Sequence, residues 1–189
     1  NEALMAYERR EITLHTRIAI PAKSFKHKLF TEEQNNKYLV ITTKNGLIKR
    51  TNVCEFENIR KNGKIAITLK ENDEVLSVHF TSGNDDIVIA ANNGRMIRFN
   101  ESEIRVMGRT ASGVKGIDVG DGYCVGCEVA VADQEILVVT ENGYGKKTNI
   151  SEYRMTHRGS KGVKALNVTS KNGNIVKFKI LNGDEDLMI

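Results

Sequence analysis

Apolar, β-branched residues in this chain gather in short runs, each closed by a polar turn that ends in glycine. Leu39-Val40-Ile41 precedes Lys44-Asn45-Gly46, Ile87-Val88-Ile89 precedes Asn92-Asn93-Gly94, and Ile136-Leu137-Val138 precedes Glu141-Asn142-Gly143. The three glycines stand 48 and 49 residues apart. Asn-Gly between β-rich runs signals a hairpin, because both turn residues tolerate positive φ. A second strand follows each turn: Leu47–Thr51, Arg95–Phe99 and Tyr144–Thr148. Next come an acidic–apolar pair (Glu55-Phe56, Glu103-Ile104, Glu152-Tyr153), with a short turn expected at Asn52–Glu57 and its equivalents, and then a basic loop bearing glycine. Two more strands complete the unit. They are Ile65–Leu69 and Val75–Phe80 in the first repeat, and Val163–Val168 and Ile175–Ile180 in the third. Four short strands in about 50 residues predict a propeller-type blade and an all-β fold.

The pattern divides the chain into repeats at 38–86, 87–135 and 136–186. Residues 187–189 fit the first strand of a further unit, with Leu187 in the place of Leu39, Ile87 and Ile136. Residues 1–37 match the repeat poorly, although Arg17–Phe25 is compatible with the last strand of a preceding blade. A single blade cannot bury both its faces, so neighbouring units are needed. The expectation is a partial, truncated disc that stops in mid-blade.

Composition narrows the chemistry. The 189 residues are 40% hydrophobic and 28% charged, as in an ordinary globular protein. No apolar run approaches the roughly 18 residues of a membrane span, and the N-terminus has no apolar signal region. Three cysteines argue against a disulfide framework and for a reducing, cytoplasmic setting. Cys124-Val125-Gly126-Cys127 has the spacing of half a zinc site. His15, His27, His79 and His157 are scattered, however, and a structural zinc needs four ligands, so the expectation is buried thiols and no metal. In a regular strand this pair would point to opposite faces. Gly143–Thr148 lacks the spacing and the following helix of a phosphate-binding loop, so no cofactor is expected. The recurrent Glu55, Glu103 and Glu152 read as loop caps or ion-pair partners, and Tyr144 and Tyr153 as packing residues.

The net charge of +4 conceals a segregation. Residues 44–64, 92–117 and 141–164 hold 17 of the 28 Lys/Arg but only 6 of the 24 Asp/Glu. Repeats stacked in register would therefore carry one basic and one acidic surface, which suits a polyanionic partner. The candidate contacts are Lys49, Arg50, Arg95, Arg98, Lys146 and Lys147 after the turns. The glycine loops add Arg60, Lys61, Lys64, Arg109, Lys115, Arg158, Lys161 and Lys164. Glycine lets backbone N–H groups approach phosphate while Arg and Lys supply charge. No aromatic residues interleave the cations, so double-stranded DNA read through backbone and bendability suits the pattern better than single strands. A propeller scaffold for acidic proteins is the reading from another class.

Met107–Ile117, Thr140–Thr148, Ser151–Arg154 and Arg158–Val163 resemble the C-terminal domain of the DNA gyrase A subunit. The resemblance runs from about Tyr38 to Ile189, and motif order and spacing agree across three units. The topoisomerase IV A subunit has a similar, less regular domain. The resemblance implies a β-pinwheel, a propeller-like disc of four-stranded blades that exchange strands with their neighbours. It further implies a non-catalytic domain that binds and bends DNA on its basic rim. Such a domain supports ATP-dependent negative supercoiling by an enzyme that also contains a B subunit, with the rest of the A subunit. The family's seven-residue box, Gln-basic-Arg-Gly-Gly-basic-Gly, has no complete copy in this sequence. Arg158–Gly162 is a degenerate echo of it.

Overall fold

The computed structural model describes residues 37–56 and 63–181. Residues 1–36, 57–62 and 182–189 lie outside them, and with them the strand expected at Arg17–Phe25, the further unit at 187–189 and the candidates Arg60 and Lys61. Eleven strands form three antiparallel sheets among the described residues. The first contains β1 (Tyr38–Thr43), β2 (Leu47–Asn52), β3 (Val75–Thr81) and β6 (Val114–Lys115), in the order β3-β1-β2-β6. The second contains β4 (Asp86–Ala91), β5 (Arg95–Asn100), β7 (Cys124–Ala130) and β10 (Val163–Lys164), in the order β10-β5-β4-β7. The third contains β8 (Glu135–Thr140), β9 (Gly145–Asn149) and β11 (Ile175–Leu181), in the order β11-β8-β9. Short 3-10 turns at Val53–Phe56, Glu101–Glu103 and Ile150–Glu152 occupy the places where the sequence expects turns.

The apolar runs become strands because alternate residues feed cores on opposite faces. Leu39 and Ile41 pack with Phe56, Ala66, Ile67 and Val75, whereas Val40 packs with Ile87, Ile89 and Phe99 of the second sheet. Val88 and Ala90 point the other way, onto Ile136, Val138 and Phe178 of the third. Sheets covered on both sides read as continuous hydrophobic runs, which is the pattern the sequence shows.

Each hairpin turns through three residues. Gly46, Gly94 and Gly143 have φ of 82°, 86° and 79°, while the asparagines before them keep negative φ. Gly46 N–H donates to Thr43 O at 3.0 Å. The turn is therefore a type I turn followed by a left-handed glycine, not the two-residue turn with both φ positive that Asn-Gly suggests.

Two strand expectations are corrected. Residues 63–70 form no strand, although Ala66 and Ile67 are buried. The equivalent residues Val114–Lys115 and Val163–Lys164 are strands because each finds the outer edge of the preceding repeat's hairpin, β2 or β5. Among the described residues no earlier repeat precedes the one that contains residues 63–70, so no hairpin edge of an earlier repeat receives them. For the same reason, Val163–Lys164 belongs to the second sheet and not to the third. The fourth strand of each four-stranded sheet is thus donated by the next repeat, and the fold is an all-β pinwheel.

The donated segment locks onto the hairpin turn. Gly116 and Ile117 N–H both donate to Gly46 O, at 2.8 and 3.3 Å, and Ala165 and Leu166 do the same to Gly94 O, at 2.9 and 3.3 Å. A Cβ on Gly113 would stand 2.7 Å from Ile48 O, and one on Gly162 would collide with Met96 O. At the opposite edges of the sheets, β3 packs on β7 and β7 on β11. Those edges are internal, whereas the donated strands lie at the outer rim.

Candidate nucleic-acid interface

The rim is built from two equivalent segments, 103–117 and 152–164. Each begins at a 3-10 turn capped by an asparagine. Asn100 accepts from Ser102 N–H at 3.0 Å and Asn149 from Ser151 N–H at 2.8 Å. Each then sinks a side chain, Ile104 or Tyr153, into the core. Next it runs beside the hairpin's second strand, where Val106 bridges Arg50 and Met155 bridges Arg98 in parallel. Met107 N–H donates to Arg50 O and Thr156 N–H to Arg98 O, both at 2.8 Å. After the glycine loop the segment returns antiparallel, with Lys115 opposite Leu47 and Lys164 opposite Arg95.

The two segments also touch. Glu103 Oε2 accepts from Arg158 N–H at 3.1 Å, and its Oε1 lies 3.2 Å from His157 Nδ1. Arg158 donates from Nε to Glu103 O at 3.0 Å and from Nη1 to Lys115 O at 3.1 Å. Asp118 N–H reaches Ser160 O at 2.9 Å. Glu103 is thus a loop cap, the role its recurrence suggests. One glycine loop is mounted on the next, which makes a continuous ledge.

The candidate cations fall into two groups. Arg50, Arg98 and Lys147 occupy equivalent hairpin positions and face diagonally the first residue of the partner strand, the geometry of cross-strand pairing. Arg98 Nη2 lies 2.7 Å from Asp86 and Lys147 2.6 Å from Glu135, and the Arg50 guanidinium sits 4.7 Å from the Tyr38 ring centroid. Arg50 also donates to Gly83 O at 3.1 Å and stands 3.7 Å from the buried Glu101. Arg98 adds a bond to Ile150 O at 3.2 Å. Lys49 is fully buried and donates to Ala66 O at 2.6 Å and to Arg109 O. Burial, helped by the Arg109 guanidinium and opposed by Glu55, pushes its ammonium down to about 8. Half-buried Arg95 and Arg109 reach Gly162 O and Ile65 O, at 3.4 and 3.2 Å, and Lys64 reaches Glu55 O at 3.4 Å.

Lys115, Lys146, Lys161 and Lys164 are exposed, with only a loose 3.7 Å approach of Lys115 to Asp118. Arg105 and Arg154 join them, exposed and without a hydrogen bond or ion pair among the described residues. Sequence reasoning overlooked these two arginines. The signal was the position directly after the acidic–apolar pair, which is Arg in two of three repeats. Exposed cations on hydrogen-bonded backbone at the outer edges of the three successive sheets form a surface suited to a polyanion.

The other candidate chemistries resolve differently. Cys124 and Cys127 lie in one core, between the first and second sheets. A bulge shifts β7 so that Ala90 faces Gly126 and Ala91 faces Cys124, which breaks the alternation expected of a regular strand. Both thiols are free and buried; burial pushes Cys127 up to about 12 and raises Cys124 as well. No cluster of three or more His, Cys, Asp or Glu suited to a metal occurs among the described residues. Tyr153 is buried, as a packing residue. Tyr144, expected to pack, is instead 45% exposed, with Lys171 5.6 Å from its ring centroid. It holds the position that in the other sheets lies opposite the donated strand, and no such strand covers it among the described residues. No helix among them is long and apolar enough to cross a membrane.

Three comparisons place this architecture. The family model described as DNA gyrase C-terminal domain, beta-propeller matches residues 37–82, 85–130 and 134–182. The DNA gyrase A subunit of Ureaplasma parvum serovar 3 is 50% identical over 152 residues, which cover 80% of this chain and 18% of that protein. The chain thus spans less than a fifth of that relative's length. Among solved structures, the C-terminal domain of DNA topoisomerase IV superposes with a TM-score of 0.76 at 29% identity, covering 81% of this chain and 49% of that one. The DNA gyrase A C-terminal domain superposes with a TM-score of 0.69 at 28% identity, covering 79% and 50%.

Proposed function

Since this chain belongs to the DNA gyrase C-terminal domain family of β-propellers, we propose that its basic rim holds duplex DNA for a gyrase holoenzyme. The observation that carries this reading is the row of exposed cations on the outer segments, unpartnered or loosely partnered among the described residues: Arg105, Lys115, Arg154, Lys161 and Lys164. Their charge neutralises phosphates and releases counterions, so affinity is largely independent of sequence. The rim segments hold these side chains on backbone hydrogen-bonded to the neighbouring hairpins, Lys115 and Lys164 on the donated strands themselves. Bending a duplex over the rim costs several kcal/mol per 20–30 bp, which the added phosphate contacts offset. The domain performs no chemical step itself. Strand passage and ATP hydrolysis lie elsewhere, in the B subunit or in the remainder of the A subunit, with which it works in the cytoplasm.

The test is the affinity of the chain for a 40-bp duplex between 50 and 200 mM salt. Each phosphate contact contributes about −0.9 to the slope of log K against log[salt]. A slope of about −3 or steeper is expected, and a flat plot sinks the reading. Lys161→Ala with Lys164→Ala is expected to weaken binding and leave the melting temperature unchanged. An acidic protein partner that duplex DNA fails to displace supports the scaffold reading instead.

A further inference from the structure

On each rim segment an exposed arginine is followed directly by an exposed apolar residue. Arg105 and Arg154 point into solvent without a partner among the described residues. Val106 and Met155, directly after them, are each 47% exposed although apolar. Their backbone is fixed on both sides. Ile104 and Tyr153, immediately before, are buried, and their N–H groups close the 3-10 turns onto Glu101 O and Ile150 O at 2.9 and 3.0 Å. Met107 and Thr156, immediately after, are hydrogen-bonded to β2 and β5 at 2.8 Å. The dipeptides therefore present a cation and an apolar group in a set orientation at equivalent places on the first and second sheets.

We propose that Arg105–Val106 and Arg154–Met155 are paired DNA contacts, one per sheet edge. In each, the guanidinium binds a phosphate and the apolar side chain packs on the adjoining deoxyribose at the minor-groove edge. This rests on the DNA-binding reading and adds residues and a contact chemistry to it. Charge selects the occupant, since an apolar side chain next to an Arg with no partner among the described residues, on an edge that also carries exposed Lys115 or Lys164, suits a polyanion with an apolar sugar face better than an apolar protein groove. Strand geometry sets the spacing. Val106 lies opposite Arg50 and Lys115 opposite Leu47. At about 3.3 Å per residue these contacts stand roughly 10 Å apart along one sheet edge, within the span of a few phosphates on one strand. The aligned residues of the first repeat are Glu57 and Asn58, so the element is confined to the second and third repeats.

Two double variants separate the contributions, measured by duplex affinity against salt and by end-to-end FRET of the bound duplex. Arg105→Ala with Arg154→Ala is expected to make the salt slope shallower by about 2. Val106→Ser with Met155→Ser is expected to keep the wild-type slope, lose about tenfold in affinity at every salt concentration, and leave the bound duplex straighter. Thermal melts confirm that both variants fold. Wild-type affinity and bending in the folded Ser variant overturn the apolar contact, and an unchanged slope in the Ala variant overturns the arginines. If the unaltered chain itself shows no salt-dependent binding, the DNA reading fails and this inference with it.

Discussion

Position along the hairpin decides whether a cation serves the fold or the surface. Lys49 is committed inward, because its ammonium satisfies two carbonyls at the junction of donated segment and blade. Lys49→Met is expected to cost about 1–3 kcal/mol by leaving those carbonyls unpaired, and to leave DNA affinity intact; urea denaturation and duplex titration check both. His79 gives a pH test. Burial lowers its pKa below 6.5, opposed by Glu128 and by the bond from its Nε2–H to Cys127 O at 2.6 Å, and assisted by Lys179. The unfolded chain then binds the proton more readily than the folded one. Stability contributed by neutral His79 is complete above about pH 6.5 and falls as pH drops through 6.5 towards the lowered folded value. His79→Gln is expected to flatten this part of a melting-temperature profile between pH 7 and 5.

At the scale of elements, the glycines report which hairpins receive a donated strand. Gly162 has φ 67° and its Cβ would strike Met96 O, so Gly162→Ala must both strain the backbone and push β10 off β5. Gly143 has φ 79° and open space around it. In this 189-residue chain Gly143→Ala is expected to cost about 1–2 kcal/mol, the left-handed penalty alone. Gly162→Ala is expected to cost at least about 3 kcal/mol. Equal costs in denaturant titrations would refute the interlock. The hairpins themselves were legible in the sequence, because Leu39–Gly46 and its repeats specify strand and turn locally. Which sheet Val114 and Val163 join was not, because a two-residue strand carries no periodicity and its partner lies far along the chain, 68 residues away for Lys115 and Leu47 and 67 for Val163 and Met96.

Over the whole molecule, stability is coupled by neighbour contacts at both edges of each sheet. The second sheet is joined to the first by donated β6 and to the third by donated β10, and internally by β7 against β3 and β11. The outer edge of β9 has no partner strand among the described residues. Amide hydrogen exchange is therefore expected to be slowest in β4 and β5 and fastest among the β-strands along the β9 edge. Uniform protection across the three sheets would show that the blades open as one unit. Charge distribution belongs to this scale too. The sequence shows that cations cluster after each turn, but the sum does not tell which ones reach solvent.

The sequence by itself determined the repeat, the hairpins, the apolar faces and the sign of the rim, because each depends on residues within one turn or one strand period. Tertiary structure alone decided that Lys49, Arg50 and Arg98 work inside the blades while Arg105 and Arg154 are exposed without a partner among the described residues. It also decided that Cys124 and Cys127 share one core and that the rim edges of the first and second sheets are completed by the next repeat. Those outcomes depend on contacts between segments tens of residues apart. There, a bulge, a carbonyl left for a lysine or an open strand edge settles where a side chain points, and no local pattern records it.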